Sequence, residues 1–473
     1  MASQRSSRFV DFRLLSQIVS CFSFFLISTL LGEFSEINVV AAQTTNPTDL
    51  QVLHEMMFSM NSEYDWDTYF PDPCVSGPQG IVCTPDPVTN VLYVTQMQFG
   101  YISPIANIIP CSANATIPSS IAKLTRLDTL SFYNCFMNSS VTIPAAISVL
   151  GPSLRLLSFS GNLGLTGSIP QGFGNLTGLQ RLVLSQNALQ GNVPEELGHL
   201  PLLIQLDLSH NNFSGPVPAT LATLPKLLNM DLRYNSLEGG FPSSFSQGLH
   251  QLQRLALSYN KLTGSLPENF SGLGSLTFLD LSHNQLTGQV PSSLGSLGVL
   301  EDLFLNSNSL EGPIPDSLGS LTKLVRLDLS SCSLGSTIPD SLKNLANLRF
   351  LSMSNNKLTG EIPPSLASLP RIFTLNLDGN ELSGPVPFPP TFVKRMGRNM
   401  RLGDNPGLCY TPQLVSIKVP LGLSKCPAVP PLPARAPTPP PPVTPNAASR
   451  RMTTFRWNIV LALMMLVAFT SVF

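Results

Sequence analysis

Charge is scarce in this sequence. Charged side chains make up 12% of its 473 residues, 27 Lys and Arg against 28 Asp and Glu, for a formal net charge of -1. With neither sign in excess there is no basic surface for a phosphate backbone, so no nucleic-acid partner is expected. Histidine is sparser still. The five residues His54, His199, His210, His250 and His283 are scattered, and His210 and His283 share an SHN turn, which reads as repeat consensus rather than as metal ligands. No nucleophile elbow, H-E-x-x-H helix, C-x-x-C pair, P-loop or kinase signature set occurs, and no paired carboxylates mark a carbohydrate-cleaving cleft. Catalytic residues, metal sites and cofactors are therefore all expected to be none, and an enzyme is not expected.

What is abundant is leucine at fixed spacing. The stretch 276–382 reads LTFLDLSHNQL, LEDLFLNSNSL, LVRLDLSSCSL, LRFLSMSNNKL and IFTLNLDGNEL, recurring every 24 residues. L-x-x-L-x-L-x-x-N/C-x-L at that period is the signature of a leucine-rich repeat. The ninth position is Asn284, Asn308, Cys332, Asn356 and Asn380, and the same register runs back through Asn260, Asn235, Asn211, Asn187, Asn162 and Cys135. In L-x-L the leucines face one way and their neighbours the other. One repeat cannot bury its leucines alone, so the repeats stack into one core. The expected fold is an α/β repeat solenoid, a right-handed superhelix with a parallel sheet on its concave face. The ninth residue enters a turn whose buried backbone groups need partners; Asn offers donors and an acceptor, and a thiol substitutes weakly.

Cysteine punctuates the ends. Cys21 lies in an apolar N-terminal stretch, leaving Cys74, Cys83, Cys111, Cys135, Cys332, Cys409 and Cys426. Seven is odd, and Cys332, on the ladder, is the natural free thiol. Cys74 and Cys83 enclose a short loop and are expected to pair. Cys135 has two readings, a ladder residue or the partner of Cys111, and the disulfide is favoured because Cys111 would otherwise be unpaired. Six cysteines in close pairs flanking the repeats fit disulfide-closed caps in an oxidising compartment.

Residues 1–42 read as a signal peptide, with Arg5, Arg8 and Arg13 before LLSQIVSCFSFFLISTLL and the small-residue end VVAA; a retained N-terminal anchor is the other reading. Residues 43–102 form an N-terminal cap. Pro47 opens a helix with Leu50, Leu53, Met56, Met57 and Met60 on one face, which would cover the open end of the solenoid. VTQMQF at 94–99 is the expected first strand, with Met97 and Phe99 inward. Repeats fill 103–382 and a C-terminal cap 383–426. Residues 427–446 are a proline-rich linker, PAVPPLPARAPTPPPPVTPN, extended and without a core. In 447–473, small residues around Asn446, a polar spacer with Arg450, Arg451 and Arg456, and the terminal IVLALMMLVAFTSVF match a glycosylphosphatidylinositol signal with Asn446 as attachment site. A short membrane-spanning helix is the alternative, although the apolar run is under about 20 residues.

Between strands the repeats read LTGSIPQGFGNLTGL, FSGPVPATLATLPKL and LTGQVPSSLGSLGVL. Gly permits a turn and Pro stiffens the next extended segment. This G-x-[IV]-P step resembles plant extracellular leucine-rich repeats, and residues 46–430 resemble the ectodomains of plant receptor-like proteins and receptor kinases. FPDPCVSGPQGIVC, SFYNCF and VPFPPTFVKRMGRNMRLGDNPGLC resemble the TOO MANY MOUTHS group and its relatives, although Pro78 stands where family caps often carry Trp. Cys409 and Cys426 resemble the family's C-terminal disulfide. The resemblance implies a non-catalytic receptor-like protein on the outer face of the plasma membrane. Its partners would be a leucine-rich-repeat receptor kinase ectodomain and a secreted cysteine-rich peptide, in development such as stomatal patterning or in responses to microbes. The rival reading is an extracellular inhibitor of the polygalacturonase-inhibitor type, a class that lacks the apolar tail.

The register also marks a candidate partner-binding surface. Asp207, Asp280 and Asp328 are common family filler at outward strand positions. Less expected are Arg254, Phe278, Asp302, Phe304, Arg326 and Phe350. Aromatic and arginine side chains concentrate at binding hot spots; lateral packing on the sheet is the competing account. Sequons at Asn114, Asn138, Asn175, Asn212 and Asn269 mark expected glycosylated surface, and none falls between Asn284 and Asn380.

Overall fold

The computed structural model describes residues 43–100, 111–138, 140–414 and 423–427. The signal peptide, part of the connection after residue 100, the proline-rich linker, Asn446 and the apolar tail lie outside the described residues.

The leucine pattern becomes a 14-stranded sheet whose strands follow one another in chain order, from Ile81–Pro85 and Leu92–Gly100 to Thr374–Asn376 and Met400–Arg401. Every pairing is parallel except the first, where Ile81–Pro85 runs antiparallel to Leu92–Gly100. The sheet thus begins one strand before VTQMQF, with a hairpin. Its DPVTN turn is built by Asp86, whose carboxylate accepts from the Val88 and Thr89 amides, each at 3.0 Å. Met97 and Phe99 point inward and are fully buried.

The ladder closes each turn in the same way. Asn308 Nδ2 donates to the Leu281 carbonyl at 3.0 Å and to Leu305 at 2.9 Å, while its Oδ1 accepts from the Leu286 amide at 3.0 Å. One side chain thereby satisfies backbone groups of two successive repeats. The ladder continues past residue 382 to Asn405, which donates to Leu377 and accepts from the Leu382 amide, so the C-terminal cap begins with a further repeat. A second, seven-stranded parallel sheet runs from Gln190–Asn192 to Ser333–Gly335. Its strands contain glycines such as Gly288, at φ 75° with the Ser265 side chain 3.2 Å from where a Cβ would stand. The pieces that follow it are 3-10 turns opened by proline, such as Ser292–Ser296 after Pro291. Longer α-helix is confined to the caps.

The N-terminal helix is Pro47–Met60. Asn46 caps it, accepting from the Thr48 and Asp49 amides, and Pro47 costs nothing at a position whose N–H has no helical partner. The buried face is Val52, Leu53, Met56, Met57 and Met60. Leu50 is only half-buried, and Asp49 takes the inward place, its carboxylate accepting from the Val94 amide at 2.9 Å. A single hydrophobic cluster extends from Val52 through the repeat leucines to Leu414. Truncating one such leucine to alanine typically costs about 2–5 kcal/mol.

Disulfides join Cys74 to Cys83, Cys111 to Cys135 and Cys409 to Cys426. Cys332 is free and half-buried. Its thiol reaches the Leu305 and Ser330 carbonyls at 3.5 and 3.6 Å, and burial pushes its pKa up.

Candidate recognition surface

Outward residues of the long sheet fall into rows set by its register. One row runs Arg254, Phe278, Asp302, Arg326, Phe350, Thr374; the next runs Ala256, Asp280, Phe304, Asp328, Ser352, Asn376. The six residues singled out from the sequence therefore lie together on one wall. The three phenylalanines are not freely exposed, however. Phe278, Phe304 and Phe350 are half-buried. The Arg254 guanidinium lies 3.5 Å from the centre of the Phe278 ring, and the Phe278 and Phe304 rings are 5.8 Å apart. Arg326 grips Asp302 with two hydrogen bonds, Nη2 to Oδ2 at 2.7 Å, and lies 5.2 Å from the Phe304 ring. The wall is braced laterally, Phe278 and Phe304 each shielded by an arginine from the neighbouring repeat. Phe373, just before Thr374 of the first row, is 65% exposed.

Electrostatics follow the same rows. Burial lowers the pKa of the Arg254 guanidinium, against the attraction of Asp231, Asp280 and Asp302. Burial also raises Asp231, opposed by Arg233 and reinforced by Asp207. Asp207, Asp280 and Asp328 turn inward to their own loops, each accepting from the amide and hydroxyl of the serine two residues on.

A second feature had no counterpart in the sequence reading. His210, Tyr234, Tyr259 and His283 occupy the position before the ladder asparagine in four successive repeats. Their rings stack face to face, with centroids 4.2, 4.2 and 4.0 Å apart and planes within 14°. All four have left-handed backbones, φ 52–56°, where a bulky side chain is unusual. Hydrogen bonds from each amide to the next repeat hold them there, such as Tyr234 N to the Ser258 carbonyl at 3.0 Å. Ring stacking, about 0.5–1.5 kcal/mol per pair, offsets the strain. The signal was present as SHN, RYN, SYN and SHN, but an aromatic at one position per repeat has no meaning until the repeats are stacked.

The sequon asparagines Asn114, Asn138, Asn175, Asn212 and Asn269 are all exposed. Among the described residues no group of three His, Cys, Asp or Glu is arranged to hold a metal ion, and no helix is long and apolar enough to cross a membrane.

Leucine-rich-repeat family models match residues 152–213, 225–286, 323–382 and 299–321. Receptor like protein 29 of Arabidopsis thaliana is 39% identical over 178 residues, 37% of each chain. The chain is similar to the plant leucine-rich-repeat receptor-like proteins. This receptor-like chain is also 37% identical over 137 residues to Protein TOO MANY MOUTHS of Arabidopsis thaliana, 29% of this chain and 27% of that one. It thus spans about a third of the length of these curated relatives. Among solved structures it resembles the plant peptide hormone receptor RGFR1 in complex with RGF2, with 30% identity, a TM-score of 0.56, and coverage of 63% of this chain and 50% of that one. Its fold is accordingly that of a plant receptor ectodomain, related to peptide-hormone receptors.

Proposed function

We infer that this receptor-like protein is a non-catalytic recognition module at the cell surface. Its ligand is a secreted peptide, a receptor kinase ectodomain, or both together, bound along the concave sheet. The observation that carries this reading is the braced wall of Arg254, Phe278, Asp302, Phe304, Arg326 and Phe350, beside the ring stack. Rings and guanidiniums already held in place lose little freedom on binding, which favours affinity. Similarity to a receptor solved with its peptide hormone supports the same direction. The span from Asn284 to Asn380 carries no sequon, which favours that part of the wall as the surface for a protein partner.

The test is Phe278→Ala with Phe304→Ala, read by binding to a panel of purified plant receptor kinase ectodomains with and without secreted peptides. Losing a hot-spot aromatic costs about 2 kcal/mol, so affinity should fall roughly thirtyfold while secretion stays normal. Unchanged binding to every partner that the wild type binds would place the recognition surface elsewhere. The reading also puts a lipid anchor at Asn446. Phosphatidylinositol-specific phospholipase should then release the protein from intact cells, and retention would favour a spanning helix.

A further inference from the structure

The scarcity of charge conceals an uneven distribution. Between residues 43 and 122 there are seven carboxylates and no lysine or arginine. Residues 349–401 reverse the sign, with seven Lys or Arg against three Asp or Glu. All seven carboxylates of the first block lie in the N-terminal cap; the second block is the last repeats and the start of the C-terminal cap.

Each end also exposes aromatic surface framed by its own charge. At the N-terminal cap, Phe58 and Tyr69 are 61% and 64% exposed. Phe58 and Tyr64 line a recess of about 500 Å3 together with Glu55, Glu63, Asp65 and Asp67. At the other end Phe373, 65% exposed, lines a recess of about 570 Å3 with Arg349 and Arg371. Arg395, on the cap helix Pro390–Met396, donates to the Leu369 carbonyl, two residues before Arg371, and the same helix carries the exposed Lys394. Exposed rings of this size in a charged frame mark a contact surface. Arginine over tyrosine is a favourable pairing across such a contact.

The two ends cannot meet within one copy. The long sheet is open, with Ile81–Pro85 at one edge and Met400–Arg401 at the other. Fourteen strands at about 4.8 Å separate those edges by roughly 60 Å. We propose that the acidic, aromatic N-terminal cap of one copy docks on the basic Phe373 end of a second copy, head to tail. Such an interface is heterologous, with different patches on the two partners, and builds open rows or closed rings rather than a two-fold dimer. It uses none of the six braced wall residues and is independent of the ligand reading above. Because it rests on opposite charges at a solvent-exposed rim, it weakens with salt.

The experiment is charge exchange in the full chain. Two differently tagged copies are co-expressed in plant cells, extracted in mild detergent and tested for co-purification. One variant carries Glu63→Lys and Asp67→Lys; the other carries Arg371→Glu and Lys394→Glu. Wild-type copies should co-purify, with losses at high salt. Each variant paired with itself should fail, since the altered face has lost the net charge that complements the other end. Each variant paired with wild type should still co-purify through its unaltered end, which also shows that it folds. The two variants together should co-purify, since each presents a face complementary to the other. Absence of wild-type association overturns the proposal. So does self-association of either variant at the wild-type level, failure of either variant to associate with wild type, or failure of the mixed pair to associate.

Discussion

Cys332 shows what one ladder side chain is worth. Its neighbours Asn308 and Asn356 each donate twice to backbone carbonyls at 2.8–3.1 Å and accept from an amide of the preceding repeat. The thiol makes only long contacts to Leu305 and Ser330 and offers no carbonyl oxygen. A net hydrogen bond is worth about 1 kcal/mol, and the turn already accepts asparagine throughout the array. Cys332→Asn is therefore expected to stabilise the protein by about 1 kcal/mol, seen as a higher denaturant midpoint at unchanged slope. A lower midpoint would show that this turn has tightened around sulfur. At the same scale, the Arg326–Asp302 pair is half-exposed on the arginine side; pairs of that kind contribute about 0–1 kcal/mol, so its role is to hold the guanidinium near Phe304 rather than to stabilise the fold.

The elements divide into those the sequence spelled out and those it did not. The strands, the outward direction of Phe278 and Phe304, and the N-terminal helix were legible because each follows from a local rule: alternation in L-x-L, a fixed 24-residue register, and Pro47 at the start of an apolar face. The degree of exposure was not legible. Phe278 is shielded by Arg254, the equivalent position one repeat earlier, and periodicity says which way a side chain points but not what its neighbours cover. The ring stack failed to register for the same reason, since its members are 24 or 25 residues apart and meet only by stacking. Ile81–Pro85 was missed because its strand carries a cysteine and a proline, and burial alternates weakly along it. Met400–Asn405 was missed because Met replaces Leu and the flanks are basic.

On the scale of the whole molecule, a solenoid is close to one-dimensional, so its ends are where unfolding starts and the caps set the threshold. The N-terminal cap closes on Asp49, 4% exposed beneath the helix and bonded to the Val94 amide. Burial is the main influence on this carboxyl and raises its pKa, opposed by the Val94 N–H and by Arg126. The linkage has a definite sign. The folded state holds the proton more tightly than the unfolded chain, whose carboxyl titrates near about 3.9. The resulting stabilisation is full below that value and disappears as pH rises through the raised folded pKa. Asp49→Asn keeps a carbonyl acceptor for Val94 and removes the titration. The free energy of unfolding of wild type minus that of the variant should therefore increase as pH falls through the carboxylate range, and other titrating groups cancel in the difference. Pulse proteolysis at each pH reads that difference, and cleavage within residues 43–100 shows whether the cap opens first. If the difference instead decreases as pH falls, the Val94 hydrogen bond and Arg126 outweigh burial at this carboxyl.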